Sequence, residues 1–105
     1  MILLHIITNE KEQAIEIVDY LVKEKLILDA IIMENITGRK RVGKGNFKSM
    51  DQTLIIGKTK ALLFNTVDEQ LREKYKKNMP VLYSIPIVNM DWEQANDLIK
   101  GTAKI

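Results

Sequence analysis

The spacing of apolar and polar positions divides the first half of the chain into a strand, a helix and two further strands. Residues 2–7 are almost wholly apolar and rich in β-branched side chains, which predicts a central strand buried on both faces. Asn9 is a candidate helix N-cap, and apolar residues then recur at helical spacing through about Lys25. Residues 28–36 and the β-branched run 53–56 predict the second and third strands.

The second half repeats the order of helix and strand. Apolar residues at every fourth position from Leu63 to Tyr75 predict a helix that ends near residue 78. Pro80 stops that helix and opens a fourth strand over residues 81–88, in which Pro86 indicates a sheet edge or a bulge near the strand end.

A short third helix over residues 91–100, with Trp92 expected to anchor it by packing, completes the chain. The order β-α-β-β-α-β predicts one α+β domain over residues 1–105, an antiparallel ferredoxin-like sheet with both long helices on one face. Apolar strand residues then remain on the other face, so we expect the chain to self-associate. Four residues carry this expectation: Ile31, Met33, Leu54 and Ile56.

The segment between the second and third strands is basic and glycine-rich. Residues 38–46 hold three glycines and no hydrophobic period, which predicts a flexible loop or the tip of a long hairpin. The segment resembles a phosphate-binding P-loop, but Gly45 stands where a hydroxyl should hold magnesium and a strand follows, so we exclude an NTPase. We expect a solvated tip that discourages edge-to-edge aggregation, with nucleic acid, nucleotide or acidic-protein binding as the alternative. The candidate contacts are Arg39, Lys40, Arg41, Lys44 and Lys48, with Phe47 available for stacking.

Composition is that of an ordinary globular protein and narrows the classes of function. The chain has 46% hydrophobic and 29% charged residues, and a net charge of +2 does not by itself imply a nucleic acid partner. Cysteine is absent, which excludes disulfides and thiolate chemistry. No apolar run approaches the roughly 20 residues of a membrane span, so we expect a cytoplasmic protein without a membrane partner.

Four segments resemble, in order and spacing, the CutA divalent-cation-tolerance family: residues 21–26, 54–59, 80–87 and 91–92. The resemblance implies a ferredoxin-like fold and a tight trimer formed through the sheets, within the wider PII-like group of trimeric signalling proteins. None of the matching segments is a catalytic signature, so binding and not catalysis is expected.

The chain departs from the family pattern at positions that are proposed to bind metal in relatives. Asp29 stands where relatives usually have a cysteine, and Tyr75-Lys76-Lys77 replaces a His-Pro-Tyr element. Soft-metal binding proposed for relatives relies on that cysteine and histidine. A divalent cation, the one candidate cofactor, would therefore need oxygen ligands, for which the candidates are Asp29, Glu34 and Asp51.

Three further residues are candidates for chemistry. His5 is the only histidine and lies within an apolar strand, so we expect a hydrogen-bonded core residue and not a metal ligand. Lys58 and Thr59 end the third strand, where PII-like proteins hold small ligands beside a subunit boundary. Thr59 could instead cap the second helix.

Three functions follow from these observations. The leading hypothesis is a non-catalytic homotrimeric CutA-like protein in divalent cation tolerance or response. The alternative is a PII-like signalling protein that binds a nucleotide or another anionic effector in inter-subunit clefts, through Lys58, Thr59 and the basic segment. A further alternative is a nucleic-acid-binding module that uses residues 38–48.

Overall fold

The computed structural model describes residues 1–104, and they form a four-stranded antiparallel sheet with helices. The strands are β1 (Ile2–Thr8), β2 (Ala30–Val42), β3 (Asn46–Thr59) and β4 (Val81–Pro86), in the order β2-β3-β1-β4. The helices are α1 (Lys11–Lys23), α2 (Phe64–Tyr75) and α3 (Trp92–Gly101), with short 3-10 turns at Ala61–Leu63 and Lys76–Asn78. The predicted ferredoxin-like α+β fold is confirmed, as are the central place of β1 and the edge position of β4. Among residues 1–104, no helix combines the length and apolar character needed to cross a membrane.

The core lies between the sheet and the helices α1 and α2. Alternate residues of β1 point into it, and Leu4 and Ile6 are buried there together with Ile55 of β3. The helices contribute residues at helical spacing, such as Ile17 and Leu21 of α1. The prediction that β1 is buried on both faces is wrong for the protomer, because its other residues are only half-buried.

Two predicted features of the helix ends are wrong. Asn9 does not cap α1: Glu10 occupies the N-cap without a side-chain hydrogen bond, while Asn9 Oδ1 accepts one from Gln52 Nε2 at 3.2 Å. Trp92 does not anchor α3, because its side chain is 70% exposed. The residue of α3 that is fully buried is Leu98, and Asp91 caps the helix through its side chain.

Tyrosines on the outer side join α1 to α2. The Tyr75 hydroxyl donates to Glu16 Oε1 at 2.6 Å, and Lys74 Nζ lies 3.7 Å from the same oxygen. Tyr20 also donates a hydrogen bond, to Gln70 Oε1. Burial of the hydroxyl and its hydrogen bond to the Glu16 carboxylate both raise the pKa of Tyr75 well above its usual value near 10.

Of the two predicted alternatives for the segment between the second and third strands, the tip of a long hairpin is confirmed and the flexible loop is wrong. Only Gly43 to Gly45 form a turn, and both glycines have positive φ (60° and 74°), which suits residues without a Cβ. The predicted strands 28–36 and 53–56 were therefore too short, and the predicted strand 81–88 was too long because β4 ends at Pro86. The paired segment of residues 36–52, which we call the basic ribbon, extends beyond β1, whose pairing with β3 stops at Thr53.

The basic ribbon makes the molecule elongated. Its principal extents are 49 × 29 × 20 Å, and the radius of gyration is 14.9 Å, whereas a compact chain of this length has about 13 Å. A bulge in β2 between Met33 and Ile36, with Asn35 at a φ of 57°, marks where the ribbon leaves the sheet.

Candidate functional site

One face of the sheet is not covered by α1 or α2, and we call it the uncovered sheet face. Antiparallel pairing places the outward residues of the four strands in rows. Several are well exposed, with 63% for Ile31 and 52% for Val81. Ten residues make this face apolar or aromatic: Leu3, His5, Ile7, Ile31, Met33, Leu54, Ile56, Val81, Tyr83 and Ile85. Such a continuous patch is typical of a surface that another protein chain buries.

His5 lies in the middle of the uncovered sheet face, between Ile56 and Tyr83 on the neighbouring strands. Its Nδ1 atom is 3.2 Å from the Tyr83 hydroxyl, and the two ring centroids are 5.2 Å apart. The predicted hydrogen bond therefore exists, but the predicted core position is wrong for the protomer. The burial of β1 residues alternates, and His5 falls on the half-buried set.

Lys58 and Thr59 point to opposite sides of the sheet. Lys58 lies on the uncovered sheet face, and its Nζ is 3.4 Å from Asp29 Oδ2. Thr59 is fully buried, and its hydroxyl donates to the Leu26 carbonyl at 2.6 Å. Thr59 does not cap a helix either, because Lys60 is the N-cap of the following turn. Within a protomer, only Lys58 of this pair presents its side chain to a ligand.

The basic ribbon distributes its cations over two faces and a turn. Arg39 and Arg41 share one face with Phe47, while Lys40 lies on the other face directly opposite Lys48. Lys44 lies in the turn itself.

Within a single protomer, the cations predicted to contact an effector in an inter-subunit cleft do not converge, and the cleft between subunits stays a prediction. Lys48 and Lys58 are both on β3, and ten residues of extended strand separate them by about 33 Å. In one protomer, Lys58 and the basic ribbon are therefore too far apart to contact one small ligand. Lys58 and the basic segment were grouped through the resemblance to PII-like proteins, which hold small ligands beside a subunit boundary.

A cleft of about 240 Å³ lies where the basic ribbon meets the end of β1 and the start of β4. Lys40 lines it, together with the amide side chains of Asn9, Gln13 and Gln52. Gln13 is nearly buried, and its Nε2 atom donates to the Asn78 carbonyl at 3.0 Å. Sequence reasoning singled out Lys40 but missed the cleft, because its lining comes from segments that are far apart in the chain.

The carboxylates considered for a cation do not form a site within a protomer. Asp29 pairs with Lys58, and Glu34 Oε1 is 3.4 Å from Lys11 Nζ. Asp51 lies on the ribbon opposite Thr37. No group of three or more histidine, aspartate or glutamate side chains within residues 1–104 is placed to hold a metal ion. The donors of one protomer therefore do not fit a resident divalent cation.

Comparisons with known proteins identify the fold. No family model matches the sequence, and no curated protein matches it. Solved structures do: a divalent ion tolerance protein CutA1 from Ehrlichia chaffeensis matches with a TM-score of 0.86 and 25% identity, over 98% of this chain and 95% of that one. CutA1 from Oryza sativa matches with a TM-score of 0.89 and 19% identity, over 99% and 94%. A periplasmic divalent cation tolerance protein CutA from Archaeoglobus fulgidus matches with a TM-score of 0.85 and 20% identity, over 96% and 98%. The chain therefore has the CutA fold over nearly its whole length, and the resemblance predicted from the sequence is confirmed in the fold.

Proposed function

We propose that this chain is a CutA-type protein: a non-catalytic, cytoplasmic homotrimer that acts by binding in divalent cation tolerance or response. The observation that carries the proposal is the CutA fold combined with an apolar uncovered sheet face. Structural neighbours described as divalent ion tolerance proteins support the biological role.

Self-association follows from the cost of leaving the uncovered sheet face in water. Apolar area stabilises a complex by about 25 cal/mol per Å² when it is removed from water. The face carries few charges: within residues 1–104, the ion pair found there joins Lys58 to Asp29. A second and third copy can therefore cover the face while desolvating few charges, and closed symmetry lets every copy use the same surface.

Self-association would also bring together carboxylates of different subunits, which could then bind one cation. In one protomer, Asp29 does not form a site with the other candidate carboxylates, Glu34 and Asp51. A trimer, however, contains three copies of each carboxylate. Asp29 is the candidate that lies on the uncovered sheet face, and its side chain is 58% exposed in the protomer. Oxygen ligands of this kind suit magnesium, calcium or manganese better than copper.

Thermal denaturation tests both parts of the proposal. The melting temperature should rise with protein concentration, because subunit association stabilises only the folded state. It should also rise with at least one divalent cation, by several degrees at saturating concentration. Asp29→Asn should abolish the cation effect, whereas Asp19→Asn, an exposed control on α1, should retain it. A melting temperature insensitive to every divalent cation would remove the cation role.

The cleft at Lys40 favours a second candidate function, the binding of a small anionic effector. Among the described residues that line the cleft, Lys40 is charged and none is a carboxylate. An ammonium group surrounded by amides suits a carboxylate or phosphate ligand. Nucleotides and small carboxylates should then raise the melting temperature, and Lys40→Met should abolish the rise. Lys48→Met is the matched control, since Lys48 lies directly opposite Lys40 but does not line the cleft.

A further inference from the structure

The basic ribbon carries positive charge that the rest of the protomer does not neutralise. Residues 39–48 contain five cations and no carboxylate. None of the five forms a salt bridge within residues 1–104, where the ion pairs involve other lysines and Arg72. The ribbon therefore presents a concentrated positive potential at the far end of the molecule.

Pairing of the two strands brings like charges of the basic ribbon together, which lowers the stability of the ribbon. Lys40 and Lys48 are direct cross-strand partners, and like charges in that position destabilise a strand pair. A two-stranded ribbon without a third strand is already marginal in water. Cations that do not face one another would discourage aggregation equally well, so the direct opposition of Lys40 and Lys48 is more than a protected edge requires. A bound polyanion would remove the repulsion.

The opposite face of the ribbon combines arginine with an exposed aromatic ring. Phe47 is 62% exposed, and the Arg39 guanidinium carbon lies 5.3 Å from its ring centroid. Ser49 Oγ accepts a hydrogen bond of 2.8 Å from Arg39 Nη1, which holds the guanidinium beside the ring. Arg41 is the direct cross-strand partner of Phe47 on the same face. Phe47 is therefore a large apolar side chain that contributes nothing to the hydrophobic core of the protomer.

We infer that this face of the basic ribbon binds a single strand of nucleic acid. Arg39 and Arg41 contact phosphates through charge-assisted hydrogen bonds, and Phe47 stacks on an unpaired base. The ring distinguishes this ligand from an acidic protein segment, which offers carboxylates but no flat base to stack on Phe47. A duplex is a poorer ligand because its bases are stacked on one another. The inference does not depend on self-association, although a trimer would present three ribbons to one strand.

The test is fluorescence anisotropy of a labelled oligothymidylate, measured with the intact protein over a series of salt concentrations. The logarithm of the association constant should fall linearly with the logarithm of salt, by about 0.7 for each phosphate contact. Replacing both arginines (Arg39→Ala with Arg41→Ala) should therefore reduce the slope by about 1.4. Phe47→Leu should weaken binding by about fivefold to a hundredfold without changing the slope, and Phe47→Tyr should retain binding.

The matched control is Lys100→Ala with Lys104→Ala, which removes the same charge at exposed positions outside the ribbon. This double variant should leave affinity and slope unchanged, and circular dichroism should show every variant folded. Absence of binding at low salt would overturn the inference. So would an equal loss in the control, an unaffected Phe47→Leu variant, or equal competition by polyglutamate of the same charge.

Discussion

Replacing Ile31 by lysine places a charge in the uncovered sheet face and should break the proposed trimer. Burying an isoleucine side chain completely contributes about 1.5–3 kcal/mol. Because 63% of Ile31 remains exposed in the protomer, about 1–2 kcal/mol of that gain is left for association. Replacing Ile31 in all three copies therefore removes about 3–6 kcal/mol of association free energy per trimer. This loss raises the dissociation constant by about 10² to 10⁴. Burying each lysine ammonium group would weaken association further.

Light scattering coupled to size-exclusion chromatography measures the effect at micromolar concentration. The Ile31→Lys variant should elute as a folded single chain or as an equilibrium mixture. Ile15→Lys is the matched control, because Ile15 is 43% exposed on α1, away from the uncovered sheet face, and it should leave the assembly intact. If Ile31→Lys kept the mass of the wild-type protein, or if Ile15→Lys dissociated it equally, the assignment of this interface would be wrong.

Three further predictions concern single contacts. Thr59→Val removes the buried hydrogen bond to the Leu26 carbonyl and should lower the free energy of unfolding by about 1–3 kcal/mol in urea titrations. Asp91→Ala removes the α3 cap and should cost about 0.5–2 kcal/mol in the same assay. Since the pKa of Tyr75 is raised by folding, its contribution is present below pH 10 and is lost as pH rises further. Tyr75→Phe, which also removes the bond to Glu16, should therefore flatten the alkaline fall in stability, as measured by urea titration at successive pH values.

Local periodicity predicted most of the sheet and its helices. The four-residue spacing from Leu63 to Tyr75 corresponds to buried residues of α2 and the turn before it. Pro86 at the end of β4 correctly indicated an edge strand. These features depend on residues close together in the chain, and for this reason the sequence alone could specify them.

A long hairpin was one of two alternatives predicted for the basic segment, but the extent and register of its pairing could not be predicted in the same way. Glycine and lysine are typical of loops, and only the cross-strand hydrogen bonds show that Lys40 pairs with Lys48. Side chains alternate between the two faces along β3, so Lys58 and Thr59 point to opposite sides of the sheet. The predicted third strand was too short to show this. The cleft depends on the same long-range pairing, because the ribbon brings Lys40 to the start of β4.

Two expectations of burial are wrong for the protomer. His5 was expected in the core and Trp92 was expected to pack, yet the protomer leaves the first half-exposed and the second 70% exposed. Apolar patterning shows that a side chain avoids water, but it does not distinguish burial within one chain from burial between chains. Self-association, as proposed, would cover His5 together with the rest of the uncovered sheet face.

Sedimentation equilibrium of the unmodified protein tests most directly whether the uncovered sheet face is buried by copies of the same chain. If three copies bury that face, the protein should sediment as a species of three times the 12.1 kDa chain mass at micromolar concentration. A stably folded protein that sediments with the mass of one chain at that concentration would contradict it.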